Sequence, residues 1–313
     1  MPNSPEILGL GEIVVDWVAQ IPHFPKPDEK IDSFHQEIFG GGVTANFLVT
    51  TARLGVFSGF IGAVGQDENG EFLIKDLKNE GVDTKYTYRK GDLKTPVNFI
   101  IVASNSGEKI IIQSPYMQYS LSIRDLDNDY IASSKLLHTT AIYHDLTEEA
   151  IKIAKKNNVK VSLDLESQIA IRGWNRLKNI IQNLDILLPN KEGAMMITKT
   201  NTPKEAADFL IKKGVPLVII TLGSQGALIS TENFQKIISS YKVDKVIDTT
   251  GAGDTFIGAF SVGYWIKGWD LVKACKYANA AAGIKIGKLG ARTGMPTNKE
   301  ILAFLEERNE NLF

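Results

Sequence analysis

Two acidic residues bracket a run of small ones in Asp248-Thr249-Thr250-Gly251-Ala252-Gly253-Asp254, which follows Val246-Ile247 and leads into the apolar segment Phe256 to Ile266. A Gly-Ala-Gly turn at a strand-to-helix junction leaves backbone N–H groups uncovered, and the helix dipole adds positive potential there. Gly251, Ala252 and Gly253 therefore form an anion hole suited to a phosphate. Asp254 stands against it. A lone Asp before a helix is ordinarily an N-cap. Beside a phosphate site it has a second use, taking the proton from a hydroxyl as that hydroxyl attacks phosphorus. Such a transfer depends on position and charge compensation, so an Asp near its reference pKa of about 4 is ionised at neutral pH and needs only placement.

The elements that would hold this turn can be read from the rest of the chain. Ile7 to Val15 is a short apolar run, the pattern of a buried central strand, with Asp16 just past its end. Gly40-Gly41-Gly42 opens a helix through Asn46 and Phe47 to Leu54, closed by Gly55, and Phe57 to Val64 is a strand followed by a helix over Asp67 to Glu80. Strands at Leu136 to Ile142, Val159 to Leu165, Ile186 to Pro189 and Val218 to Leu222 alternate with helices beginning near Thr147, Arg172, Asn190 and Pro203. Regular alternation predicts an α/β fold with a doubly wound, mostly parallel sheet and helices on both faces. Ala227 to Ser230 and Lys236 to Ser239 form a hairpin-like pair, and helices follow over Asp254 to Ile266 and Asp270 to Ile286. Two stretches depart from the alternation, residues 17–39 with three prolines and residues 86–113 with no helix between strands. These read as a discontinuous β lid on a single domain spanning residues 1–313.

Bulk properties narrow the partners. The 35 Lys and Arg residues nearly balance the 36 Asp and Glu residues, so no global field recruits nucleic acid or an anionic membrane. The single cysteine, Cys275, excludes an internal disulfide or a multi-cysteine metal site and points to a reducing cytoplasm. No window approaches the roughly 18 uninterrupted apolar residues of a membrane helix, and the first residues do not read as a signal peptide.

In doubly wound sheets, ligands bind beyond the carboxyl ends of the strands. The residues expected there are Asp16, Gly41-Gly42 with Asn46, Asn190-Lys191-Glu192, Thr221-Leu222-Gly223-Ser224-Gln225-Gly226 and the Gly251 to Asp254 turn. Carboxylates, amides, hydroxyls and glycines suit a polyhydroxylated ligand and phosphates. At these residues the chain resembles the ribokinase family of PfkB-type carbohydrate kinases. Asp248 to Phe256 is similar to the C-terminal signature at every position, Gly41-Gly42-Val43-Thr44-Ala45-Asn46 to the N-terminal glycine signature, and Gly11-Glu12 through Asp16 to the usual opening.

The resemblance implies ATP-dependent phosphorylation of a sugar, sugar-acid or nucleoside hydroxyl with Mg2+, and a β lid that often makes a homodimer. It implies Asp254 as general base, with Gly251, Ala252 and Gly253 as the anion hole, and Asp16, Gly41, Gly42 and Asn46 around the substrate hydroxyls. Thr221, Gly223 and Gly226 match the nucleotide-binding T-x-G-x-x-G, and Asn279 matches a position near adenine. Asp248 and Thr250, with the loop Gly290-Ala291-Arg292-Thr293-Gly294, resemble the monovalent-cation site, usually for K+, of many members.

Three departures stand out. Asn190 is followed by Gly193 where the family has a glutamate in Asn-x-x-Glu, leaving Glu192 as the nearby Mg2+ candidate. The strand ending Thr139-Thr140-Ala141-Ile142 lacks the carboxylate of ribose-specific relatives. Asp164-Leu165-Glu166 with Arg172-Gly173-Trp174 partly matches the pattern of ketodeoxygluconate and fructose kinases, but Glu166 stands at an asparagine position.

Rival readings exist. Gly40 to Ala45 formally fits a dinucleotide fingerprint, which would make the chain a nicotinamide-dependent oxidoreductase, but it follows the lid rather than the first strand, and no acidic residue closes a strand about 20 residues later. A catalytically inactive sugar-binding protein is the other alternative. Tyr116, Met117, Gln118 and Tyr119 are candidates for stacking on a sugar or base, or for plain packing.

Overall fold

The computed structural model describes residues 4–105, 108–115 and 121–310. Tyr116 to Tyr119 and part of the turn Asn105-Ser106-Gly107 lie outside the described residues. The strands are β1 (Ile7–Leu10), β2 (Val14–Ile21), β3 (His35–Gly41), β4 (Ser58–Gly65), β5 (Asp83–Lys90), β6 (Val97–Ala103) and β7 (Lys109–Ile112), then β8 (Leu136–Thr139), β9 (Lys160–Leu165), β10 (Ile186–Pro189), β11 (Val218–Thr221), β12 (Ala227–Ser230) and β13 (Gln235–Ile238). Among the described residues they form a nine-stranded sheet in the order β13-β12-β11-β10-β9-β8-β1-β4-β5 and a four-stranded sheet in the order β3-β2-β6-β7.

The large sheet is parallel from β11 to β5, with β12 and β13 added antiparallel at one edge, as the hairpin-like pattern predicted. Its central strands are buried on both faces, which is why they read as continuous apolar runs rather than alternating ones. One face packs against Phe47, Phe260 and Tyr277, and the other carries Leu137, Leu163 and Leu210. Helices thus cover both faces, the doubly wound arrangement. No helix among the described residues is long and apolar enough to cross a membrane.

The first apolar run is not one strand. β1 stops at Leu10, Gly11 N–H closes onto Ile61 O (3.1 Å), and the chain crosses to the second sheet, where Val14 pairs with Gly41. Both halves are buried, so hydrophobicity could not show the break. Gly11 marks it: a Cβ there would lie 1.9 Å from Thr44 Oγ1. Asp16 is consequently carried by β2 of the second sheet rather than by a loop of the first.

The expected lid boundaries also change. Tyr86 to Lys90 belong to edge strand β5 of the large sheet, paired with β4 through Ile61↔Tyr86 and Gly65↔Lys90. The four-stranded sheet instead takes Val14 to Ile21, His35 to Gly41, Val97 to Ala103 and Lys109 to Ile112. Its register splits the side chains into two sets. Asp16 pairs with Asn98 and Ile100 with Ile111, on the face over the large sheet's cavity, whereas Trp17 pairs with Ile38 and Phe99, and Phe99 with Ile112. That second set is exposed.

Candidate active site

A polar cavity of about 560 Å³ lies between the carboxyl ends of the large sheet and the inner face of the small one. It is lined by Asp16, Gly42, Asn46, Asn190, Glu192 and Asp254, among others. A second, mostly apolar cavity of about 730 Å³ adjoins it, with Tyr241, Phe256, Asn279 and Ile286 in its wall. The two share Thr221, Gly223, Thr249 and Gly253. Residues far apart in sequence thus converge where the strand-end rule placed them.

The helix Ala252–Ser261 begins at this junction, with Gly251 as its cap at φ 78°. A Cβ on Gly251 would meet Ala291 O at 2.5 Å, so both conformation and space require glycine. Ala252 N–H closes a turn onto Thr249 O (3.2 Å), while the next amides open the helix and have no intrahelical acceptor. Asp254 lies in that first turn, 8% exposed, and its Oδ2 accepts from Asn46 Nδ2 at 2.7 Å. It is not the helix cap.

The expected pKa for Asp254 does not hold. Burial pushes it up to about 7, with Glu166 and Glu12 adding negative charge, against the lowering effects of the Asn46 hydrogen bond and Lys285. A carboxylate with that pKa is a stronger base than a solvent-exposed one.

Asn46 is itself held. Arg292, buried beneath the small sheet, donates from Nε to Asn46 Oδ1 (2.8 Å), from Nη2 to Gly41 O (2.8 Å) and from Nη1 to Asp76. With its oxygen taken by Arg292, the Asn46 amide can only present its NH2 to Asp254. Arg53 braces the loop in turn by donating to Arg292 O and Met295 O, each at 2.8 Å.

Close packing requires glycine at both Gly41 and Gly42. A Cβ on Gly41 would fall 2.2 Å from Asp16 Oδ2, and Gly42 has φ 96° with Ile13 Cα 2.7 Å from where its Cβ would be. Asp16 Oδ1 accepts from Asn98 Nδ2 (3.1 Å), and burial raises its pKa to about 6 despite that bond and Arg292.

On the opposite wall, Asn190 caps the helix Lys191–Thr198 by accepting from Gly193 N at 2.7 Å. The missing glutamate has a steric reason, since a Cβ at Gly193 would lie 2.3 Å from Leu165 O. Carboxylates reach the site from β9 instead. Asp164 is 5% exposed and has no hydrogen-bond partner among the described residues, and Glu166 accepts from Gln168 Nε2 at 2.7 Å. Both pKa values are raised, by burial first and then by neighbouring carboxyls. Glu12 is similar, buried and accepting from Thr140 Oγ1 at 2.6 Å.

In the apolar cavity, Asn279 donates to Ile238 O (3.1 Å) and Ser239 O (3.0 Å), which fixes the orientation of its amide. Gly226 has φ 95° and no room for a Cβ, whose nearest neighbour would be Ile238 O at 2.0 Å. Arg172 donates to Ala141 O at 2.9 Å, a structural bond.

Sequence reasoning missed Lys285 and Lys109 as members of this neighbourhood, and it named Asp164 and Arg292 only inside partly matching motifs, without the roles the structure gives them. Arg292 was visible inside the Gly290–Gly294 loop. Lys285 looked like any lysine closing a helix, and Lys109 like any lid residue.

A doubly wound sheet, an amide-rich turn beside a buried carboxylate, and a polar cavity joined to an apolar one define a small-molecule kinase of the ribokinase fold. A sequence profile of the pfkB family carbohydrate kinases matches residues 4–298. The chain is 33% identical over 305 residues to a ribokinase of Haemophilus influenzae, covering 95% of this chain and 97% of that one. Arabidopsis thaliana ribokinase, solved with ribose and ATP, superposes with a TM-score of 0.85 at 25% identity over 97% of this chain and 99% of that one. A protein from E. coli solved with ATP and Mg2+ gives a TM-score of 0.85 at 26% identity, covering 97% and 99%. The chain belongs to the PfkB family and is a carbohydrate kinase.

Proposed function

We propose that this kinase moves the γ-phosphoryl group of ATP to a hydroxyl of an uncharged sugar or polyol, with Asp254 as the general base. The position of Asp254 carries the reading: its carboxylate faces the polar cavity next to the residues that the two cavities share. Adenosine fits the apolar cavity beside Asn279, and the triphosphate runs past Thr221, Gly223 and Gly226 toward the Gly251–Gly253 turn. Asp16, Gly42 and Asn46 line the polar cavity and face the sugar hydroxyls, whereas Gly41 does not line it and packs against Asp16. The attacking hydroxyl oxygen bonds to the γ-phosphorus, its proton passes to Asp254, and the bond from that phosphorus to the bridging oxygen breaks to release ADP. The amides at the helix start balance the charge on the transferring group.

Magnesium fits the acidic wall. Among the described residues, Asp164 is buried without a hydrogen-bond partner and no trio of acidic, cysteine or histidine side chains would hold a metal alone. That suits an ion that arrives with the nucleotide and meets only one or two carboxylates, often through water. Asp164, Glu166, Asn190 and Glu192 would receive it, and the ion would supply neutralising charge to the nucleotide phosphates.

Charge balance favours an uncharged acceptor over the sugar acid that sequence alone allowed. Asp16, Asp164, Glu166, Glu192 and Asp254 line the polar cavity against Lys191 as its one Lys or Arg among the described residues. An anionic acceptor adds to that negative charge, beside Asp164 and Asp254 carboxyls whose pKa values burial raises first and neighbouring carboxyls raise further. An ATP-consumption screen over pentoses, hexoses, polyols, sugar acids, sugar phosphates and nucleosides tests this. A neutral sugar should give the highest kcat/KM; a sugar acid or phosphate as the best acceptor overturns the charge reading, and a nucleoside moves the chain to the nucleoside kinases of this fold.

We also propose that the sheet of β2, β3, β6 and β7 forms a lid on one kinase domain and that its outer face joins two copies. Trp17, Ile38, Phe99, Ile110 and Ile112 form an exposed apolar face on the sheet, a surface that soluble monomers rarely leave open. Sedimentation at micromolar concentration should give a dimer for the native chain and a monomer for Phe99→Glu. A native monomer removes the proposal.

A further inference from the structure

The groups that resemble a monovalent-cation site are already engaged by two lysines. Lys285, the last residue of the helix Leu271–Lys285, is 0% exposed, and its Nζ donates to Asp248 O at 2.8 Å. From the small sheet, Lys109 Nζ donates to Thr250 Oγ1 at 2.9 Å and lies 3.9 Å from Asp248 Oδ1. The Asp248 carboxylate is satisfied within the turn, accepting from Thr250 N (2.9 Å), Thr250 Oγ1 (2.7 Å) and Gly290 N (2.9 Å).

A free K+ does not fit this arrangement well. Such an ion needs main-chain oxygens turned toward a common point without a competing charge, and here the Asp248 oxygen points at an ammonium. A buried lysine is destabilising unless its charge is used. Lys285 supplies one positive charge close to the Asp248–Asp254 turn, and it helps hold the Asp254 carboxyl below the value that burial and Glu166 would otherwise impose. An ammonium on a tether does the electrostatic work of a bound monovalent cation without the entropic cost of capturing one.

We propose that Lys285 is a built-in replacement for the monovalent cation, so that the protein needs no K+. The catalytic part of this proposal rests on the kinase reading above, whereas the binding part does not. The experiment uses the full chain in choline chloride, titrated with KCl or NH4Cl at constant ionic strength, with two readouts, melting temperature and turnover on ATP with the best acceptor. The native chain should show no saturable rise in Tm and less than about a twofold change in kcat. Lys285→Ala should lose about 10- to 100-fold in kcat, recover most of it with K+ or NH4+, and gain a saturable K+-dependent rise in Tm.

A saturable K+ response in the native chain overturns the proposal, and that arm needs no variant to fold. So does a folded Lys285→Ala that neither K+ nor NH4+ rescues. Native protein without turnover on any acceptor in either salt would sink the kinase reading instead, while the melting curves still decide the fate of Lys285.

Discussion

Asp254→Asn should abolish turnover, by about 10³–10⁴-fold in kcat, while leaving the affinity for ATP within a few-fold of native. The side chain keeps its size and its place beside Asn46, so what it loses is the capacity to accept a proton. In the native chain the pH profile should carry the signature of the same group. The ratio kcat/KM reports the free enzyme, so it should fall with unit slope below pH about 7, the value to which burial first and Glu166 next raise Asp254. An unperturbed aspartate would put that limb near pH 4.

Stability should move in the opposite direction. The folded pKa of Asp254 lies above its ordinary value of 3.8, so the folded state binds the extra proton. The stability this contributes is complete below about pH 4 and lost as the pH rises through about 7. Unliganded protein should therefore melt lower at pH 8 than at pH 5.5, and Asp254→Asn should flatten that slope and melt a few degrees higher than native at pH 8. An Asn variant that retains a tenth of native turnover, or a limb that stays near pH 4, would sink the assignment of the base.

Much of this site was legible because its parts are backbone features with strict sequence requirements. Gly41, Gly42, Gly226 and Gly251 lack room for a Cβ or hold positive φ, so glycines at those spacings announce close approach from the sequence alone. Continuous apolar runs announced the parallel sheet. What stayed hidden depended on tertiary neighbours. The crossing from β1 to β2 is invisible to hydrophobicity because both halves are buried, and β5 resembled lid strands because edge strands of either sheet alternate alike. The pKa of Asp254 follows from burial first and then from carboxyls elsewhere in the chain, Glu166 and Glu12, and neither is visible in the local sequence. Gly193 could be seen to lack the glutamate, but only the proximity of Leu165 O explains why.

Arg292 illustrates the same limit and yields the second large effect. It is buried and bound to Asp76, Asn46 and Gly41 O, elements of the main sheet's helices and of the small sheet at once. Arg292→Met should cost about 3–5 kcal/mol of stability, because it strands a partner carboxylate and leaves two acceptors without donors. Arg292→Lys keeps the charge but cannot reach three partners in the plane of a guanidinium, so it should fall between Met and native.

Catalysis should suffer for a distinct reason. Without the Nε donor the Asn46 amide is free to rotate, and its hydrogen bond is one of the effects that lower the Asp254 pKa. The acid limb of kcat/KM should therefore move upward in pH in Arg292→Met, and kcat at neutral pH should drop by about 10- to 100-fold even in the fraction that remains folded. The pH profile separates positioning from stability, because a clamp that only held the fold together would lower the amount of active protein and leave the limb where it is in the native chain. A variant with unmoved limb and native kcat per folded molecule would confine Arg292 to the second role, and Asn46 would then have to be oriented by Asp254 alone.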